Sequence, residues 1–214
     1  IYEMHMDMSG GAAVIHTVVA AAKLKLKKNV VALVPAVENM PSGSSYRPGD
    51  VLKSMSGQTI EVLNTDAEGR VILADGLTYA ERYQPRLVVD VATLTGAAMV
   101  ALGQRASVIF TKDEKLEHLF RELGEKSGEH VWPLPVWDEY EDDIRGTFGD
   151  WANTGKNSYG GAINGAIFLY QFAKKYPWVH IDIAPRMTAI ESDNLAKGAV
   201  VSPIRLLLAL IKEY

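Results

Sequence analysis

Along all 214 residues, short apolar runs rich in β-branched side chains alternate with longer segments whose apolar residues recur at three and four. A chain that keeps switching between these two periods is restricted to sheets whose strands are joined through helices. Residues 9–26 have helical period: Ala13, Val14, Thr17, Val18 and Ala21 share a face, and Lys23, Lys25, Lys27 and Lys28 crowd the C-terminal end, where cations suit the helix dipole. Residues 29–37 read as a buried strand, and 38–50, rich in Pro, Ser and Gly, as a loop. Segments 51–55 and 58–63 flank Ser56-Gly57 as a hairpin. Further on, the pattern predicts helices over 67–83, 113–126, 162–176 and 203–214, strands over 87–93, 106–110 and 178–184, an extended proline-broken piece at 131–136, and a glycine- and asparagine-rich loop at 150–161. The expected class is α/β, a three-layer α/β/α arrangement around a central mixed, mostly parallel sheet. Without a repeat, a low-complexity tract or a linker, residues 1–214 read as a single domain.

Composition removes several function classes. With 22 basic and 26 acidic residues the net charge is −4, which argues against a surface built to neutralise nucleic acid. The chain has no cysteine, so disulfides and thiolate metal sites are excluded and a cytoplasmic location is the expectation. No apolar stretch approaches the roughly 18 residues of a membrane span; the most apolar one, 87–102, is broken by Asp90 and Gly96. No basic-then-apolar signal peptide is visible. The opening at Ile1, without a methionine, suggests a portion of a longer chain.

The segment richest in chemistry is Asn64-Thr65-Asp66-Ala67-Glu68-Gly69-Arg70, placed where a strand gives way to a helix. Ligand sites in open α/β sheets favour that end of a strand. Asp66 and Glu68 are two apart, so in extended backbone both carboxylates point the same way and offer hard oxygen donors to a divalent cation. Arg70 adds a fixed positive charge beside them. The competing structural reading is a capping box, Thr65-x-x-Glu68, ahead of the apolar run Val71-Ile72-Leu73.

The whole heptapeptide resembles the signature of the leucine aminopeptidase family, the two-metal cytosol aminopeptidases, residue for residue. Other segments are similar to the same family: Asp7-Met8-Ser9-Gly10-Gly11-Ala12-Ala13, Glu38-Asn39-Met40-Pro41-Ser42-Gly43, Tyr46-Arg47-Pro48-Gly49-Asp50, Asp90-Val91-Ala92-Thr93-Leu94-Thr95-Gly96-Ala97, Gly160-Gly161-Ala162 and His180-Ile181-Asp182-Ile183-Ala184. The resemblance covers essentially the whole chain, as the C-terminal part of the family's catalytic domain. It implies a metal-dependent aminopeptidase that removes N-terminal residues such as leucine from peptides. Asp7, Asp66 and Glu68 would ligate two divalent ions, zinc or manganese, with Glu68 bridging them. Arg70 would hold a bicarbonate-like anion. Met4, Thr93, Leu94, Gly96, Ala184 and Met187 would line the substrate site. The full-length protein would be a homo-hexamer acting on peptides; no membrane partner is expected, and a DNA-binding role, which some family members have in addition, finds no support in the acidic balance.

Each role has a plainer alternative. Asp7 suits an N-cap, Met4 and Met187 are ordinary core fillers, Thr93 ends a strand, Gly96 makes a turn, and Arg70 on a helix surface would be a solvated charge. The five histidines form no His-Glu-x-x-His pair, and His180, inside an apolar strand, reads as a hydrogen-bonded structural residue. No Walker-type loop or Gly-x-Ser-x-Gly elbow is present. The family's Lys-Gly-x-x-Phe-Asp-x-Gly-Gly-x-x-x-Lys segment, expected just upstream of Asp7, does not occur in the 214 residues. The chain alone is therefore expected to be weak or inactive, and a non-catalytic structural, assembly or binding role is the alternative. Two departures from the family pattern, Pro185-Arg186 after Ala184 and Val200-Val201-Ser202 after Ala199, leave leucine preference open.

Overall fold

The computed structural model describes residues 4–214; Ile1, Tyr2 and Glu3, part of the acidic, Met-rich opening, lie outside the described residues. In chain order the elements are α1 (Ser9–Lys23), β1 (Val51–Lys53), β2 (Thr59–Glu61), α2 (Glu68–Ala80), β3 (Val88–Ala92), α3 (Gly96–Leu102), β4 (Ser107–Phe110), α4 (Glu114–Ser127), β5 (Val131–Pro133), β6 (Trp151–Ala152), α5 (Gly161–Tyr170), β7 (Trp178–Asp182) and α6 (Ile204–Glu213). The class is α/β with mixed sheets, in keeping with the expected three-layer arrangement. The strands form two sheets, β1-β2-β6 and β3-β7-β4-β5, each combining parallel and antiparallel neighbours. The chain divides into two compact units, one of Ile1–Leu33, Val89–Pro135 and Val179–Tyr214, the other of Val34–Val88 and Val136–Trp178.

The first unit is built around the four-stranded sheet. β4 lies between β7 and β5, and all four of its residues are buried, as a β-branched run in an interior strand requires. α4 starts where Asp113 Oδ1 accepts from the N–H of Lys115 (2.8 Å) and Leu116 (3.2 Å), and it buries Leu116, Phe120 and Leu123. Both α1 and α4 pack against α6, whose Leu206, Leu207 and Leu210 are buried; each such leucine stabilises the fold by roughly 2 kcal/mol. α1 also presses on β3. A Cβ on Gly10 would stand 2.1 Å from the carbonyl oxygen of Val91, so only glycine fits there.

In the second unit β1 and β2 form the expected hairpin, paired Val51↔Glu61 and Leu52↔Ile60, with Gly57 at φ 90° in its turn. α2 packs on α5, which buries Ile167, Phe168 and Leu169. Glu61 points inward, and its Oε2 accepts from the N–H of Thr147 (2.6 Å) and Phe148 (3.0 Å). These backbone donors, Phe148 foremost, hold its carboxyl below the usual glutamate range against the opposing effect of burial.

Several expectations change. Residues 29–37 form no strand and none of them is buried; Val31, Val34 and Val37 are exposed. Among the described residues nothing pairs with this run, and an apolar strand without a hydrogen-bonding neighbour gains neither ladder nor burial. The loop at 150–161 contributes β6, which joins β2 in parallel. The helix expected over 162–176 stops at Tyr170 and continues as turns. α3 was not anticipated: its seven residues, Gly-Ala-Ala-Met-Val-Ala-Leu, are uniformly apolar and too short to show a period.

Candidate metal and substrate site

In the second unit, residues 62–67 turn the chain from β2 into α2, and the buried side chain of Asn153 organises that turn. Its Oδ1 accepts from the N–H of Leu63 (2.8 Å) and Asn64 (3.3 Å), and its Nδ2 donates to the carbonyls of Asn64 (2.7 Å) and Ala67 (3.3 Å). The Asn153 N–H donates to the Glu61 carbonyl (2.9 Å), and its own carbonyl accepts from Arg70 Nη1 (3.0 Å). One amide therefore satisfies both senses of backbone polarity in the acidic loop.

Asp66 is exposed on this loop, its N–H donating to Asn64 Oδ1 (2.9 Å). Glu68, half-buried, is the first residue of α2, and its Oε1 accepts from Asn39 Nδ2 (3.0 Å). The backbone between them is not extended: Ala67, at φ −103° and ψ 41°, is already the N-cap of α2. No side chain caps that helix, so the capping box does not form; the helix begins too late for Thr65 to serve. Arg70 is buried rather than solvated. Burial first, and then the Glu68 charge, push the Tyr46 phenol above its ordinary value.

In the first unit, Asp7 is exposed in a 3-10 turn, Met4–Met8, that also carries the exposed Met4. Asp7 is not a cap; the N-cap of α1 is Met8, without a side-chain bond. The Thr93 hydroxyl instead lies 2.7 Å from Asp7 Oδ1 and 2.8 Å from its carbonyl oxygen, and its single proton serves one of them at a time. Leu94 is half-buried, and Gly96 is the exposed first residue of α3. Beyond β7, Ala184 is buried and Met187 half-buried. Asp182 stands at the end of β7, fully buried. Its Oδ1 accepts from the N–H of Leu94 and of Ala184, both at 3.1 Å, and its Oδ2 accepts from the Thr95 hydroxyl at 2.7 Å. Burial pushes the Asp182 carboxyl up, opposed by the His180 charge and by these donors. His180 is itself buried, with Nδ1 2.5 Å from Asp90 Oδ1, the structural role expected of it.

Asp66, Glu68 and Arg70 thus share one turn in the second unit. In the first, Asp7 meets Thr93, and Leu94 and Ala184 share Asp182. Among the described residues no group of three or more His, Asp or Glu side chains gathers as a metal cluster. The acidic loop holds two carboxylates within three residues, one exposed and one bonded to an amide, and carboxylate oxygens are the donor type that divalent cations take. Sequence reasoning did not find the organising roles of Asn153 and Asp182. The ionisable residue within the apolar run Trp178-Val179-His180-Ile181-Asp182 was a usable signal; Asn153, in a polar loop, gave none.

Fold and site define a class, an α/β protein with an acidic loop where a strand passes into a helix, the place such sheets put their ligand sites. Within it, the catalytic-domain profile of the cytosol aminopeptidase family matches residues 1–208, and the chain belongs to that family. It is 52% identical over 211 residues to a probable cytosol aminopeptidase of Methylobacillus flagellatus. Similar proteins of the same name occur in Syntrophotalea carbinolica, at 51% identity over 214 residues, and in Azoarcus sp. (strain BH72), at 53% over 205. The alignments cover 99%, 99% and 96% of this chain but 42%, 42% and 40% of those relatives.

Proposed function

We propose that this chain supplies metal ligands and part of the substrate pocket to an aminopeptidase that removes N-terminal residues such as leucine from peptides. The observation that carries the reading is the acidic loop after β2, with Asp66 exposed and Glu68 fixed by Asn39, in a chain of the cytosol aminopeptidase family. Asp7, Asp66 and Glu68 are the proposed metal ligands. Divalent ions held by these carboxylates, zinc or manganese, would supply Lewis-acid polarisation of the scissile carbonyl and a bound water of lowered pKa. Asn153 holds the ligand loop in shape, and Thr93 orients the Asp7 carboxylate. The Arg70 guanidinium, buried and tied by Nη1 to the Asn153 carbonyl, is a preorganised positive charge for a bicarbonate-like anion. Met4, Leu94, Gly96, Ala184 and Met187 face the N-terminal residue of the peptide. A hexameric, cytoplasmic full-length protein completes the proposal.

A second reading has one observation in its favour: the 214 residues contain no Lys-Gly-x-x-Phe-Asp-x-Gly-Gly-x-x-x-Lys segment. On that reading the chain alone is a binding or assembly scaffold. Leucyl amide hydrolysis with added manganese or zinc separates the two. The 214-residue chain is expected to work at background rate, and the same chain joined to a family lysine segment at a rate at least about a hundredfold higher. Equal background rates for both would favour the scaffold, and robust turnover by the chain alone would make the lysines dispensable.

A further inference from the structure

We propose that Asp182 is a positioning residue that sets side-chain preference, because its buried carboxylate ties the segment after β3 to the turn after β7. The inference rests on the aminopeptidase reading, in which Leu94 and Gly96 on one segment and Ala184 and Met187 on the other line the pocket. β3 ends at Ala92 and β7 at Asp182 itself, and the Ile183 N–H still donates to the Ala92 carbonyl at 2.8 Å. Past that backbone bond, both segments hydrogen-bond to one carboxylate. Its Oδ1 is shared by the N–H of Leu94 and the N–H of Ala184, and its Oδ2 takes the Thr95 hydroxyl. The Thr95 oxygen in turn accepts from the Ala98 N–H at 3.1 Å, so the start of α3 is fixed through the same group. The turn Ala184–Arg186 packs against α3, so a displacement on one side is carried to the other. Two backbone N–H groups and a hydroxyl face Asp182, and a carboxylate accepts from all three, whereas an amide in its place would require the Thr95 hydroxyl to turn from donor to acceptor. Asp182 is fully buried, so it reaches substrate only through the residues it holds.

The test uses the full protein carrying this chain, with Asp182→Asn, Thr95→Val and Thr95→Ser. Asp182→Asn keeps the shape but replaces the charged acceptor with a neutral amide, whose oxygen holds the two N–H groups more weakly and whose N–H the Thr95 hydroxyl must accept. Thr95→Val removes one bond and Thr95→Ser restores it. Amide hydrogen exchange reads the tie directly: in Asp182→Asn, exchange over 93–96 and 184–187 is expected to rise about tenfold or more, with the amides of α4 unchanged. Kinetics read its consequence: KM for leucyl amide rises about fivefold, kcat stays within about twofold, and the leucyl-to-alanyl preference falls, with Thr95→Val intermediate and Thr95→Ser near wild type. A role confined to folding would lower the amount of native protein without moving KM or preference. Unchanged exchange at both segments, or wild-type KM and preference in both Asp182→Asn and Thr95→Val, would overturn the proposal. If Asp182→Asn fails to fold, the Thr95 pair decides. If the unaltered protein does not cleave aminoacyl amides, the aminopeptidase reading fails separately, and the exchange result alone upholds or overturns the tie.

Discussion

Asn153 and Asp182 do the same work in different units, and they do it with opposite chemistry. Each is a fully buried polar side chain that shapes a loop leaving a strand. Asn153 meets two N–H groups and two carbonyls, and only an amide offers a donor and an acceptor together. Asp182 meets two N–H groups and a hydroxyl, and a carboxylate accepts all three. The difference follows from what each loop carries. The loop at Asn153 displays Asp66 and Glu68, and a buried carboxylate beneath them would repel both. The segments at Asp182 line an apolar pocket in the proposed function.

Removing the charged hub is expected to have the largest effect. Asp182→Ala strips three buried donors of their acceptor and should cost about 4 kcal/mol in urea unfolding. A loss below about 1 kcal/mol would mean water replaces the carboxylate, and the contrast between the hubs would weaken. Exchanging the chemistry comes next. Asn153→Asp sets a carboxylate against the Asn64 and Ala67 carbonyls and should cost about 2 kcal/mol at neutral pH. The introduced carboxyl would have a raised pKa in the folded state, so the lost stability should return as pH falls and the protonated acid donates again. An Asn153→Asp protein as stable as wild type at pH 7 would break the comparison.

Much of this was legible beforehand. The heptapeptide from Asn64 to Arg70 marked the acidic loop, because it resembles the leucine aminopeptidase signature residue for residue, which a capping box alone does not require. The apolar runs of β4 and β7 announced buried strands. Residues 29–37 carry the same β-branched signal yet pair with nothing among the described residues, since composition reports what a run would bury and not whether a neighbour is there. The partners of the hubs were illegible for a related reason. Asp182 stands out as an ionisable residue in an apolar run and Asn153 does not, but both bond residues some ninety positions away, and such separations leave no local pattern of who the partners are.

Smaller effects sharpen the contrast further. The Glu61 carboxyl, held low by backbone N–H groups, contributes stability that is fully present above its ordinary value of 4.5 and is lost as pH falls through its lower folded-state value. Urea midpoints between pH 6 and pH 3 should therefore fall less steeply for Glu61→Gln than for wild type; parallel slopes would deny the charge that role. Asp66→Asn is expected to change stability least, within about 0.5 kcal/mol, because that side chain is exposed.

That last substitution also tests the functional assignment most directly, through metal content measured on the dialysed full protein carrying this chain. About two divalent ions per chain are expected before substitution, with the loss of at least one in Asp66→Asn and in Glu68→Gln while the thermal midpoint without metal stays in place. Identical metal content in all three proteins would contradict the assignment.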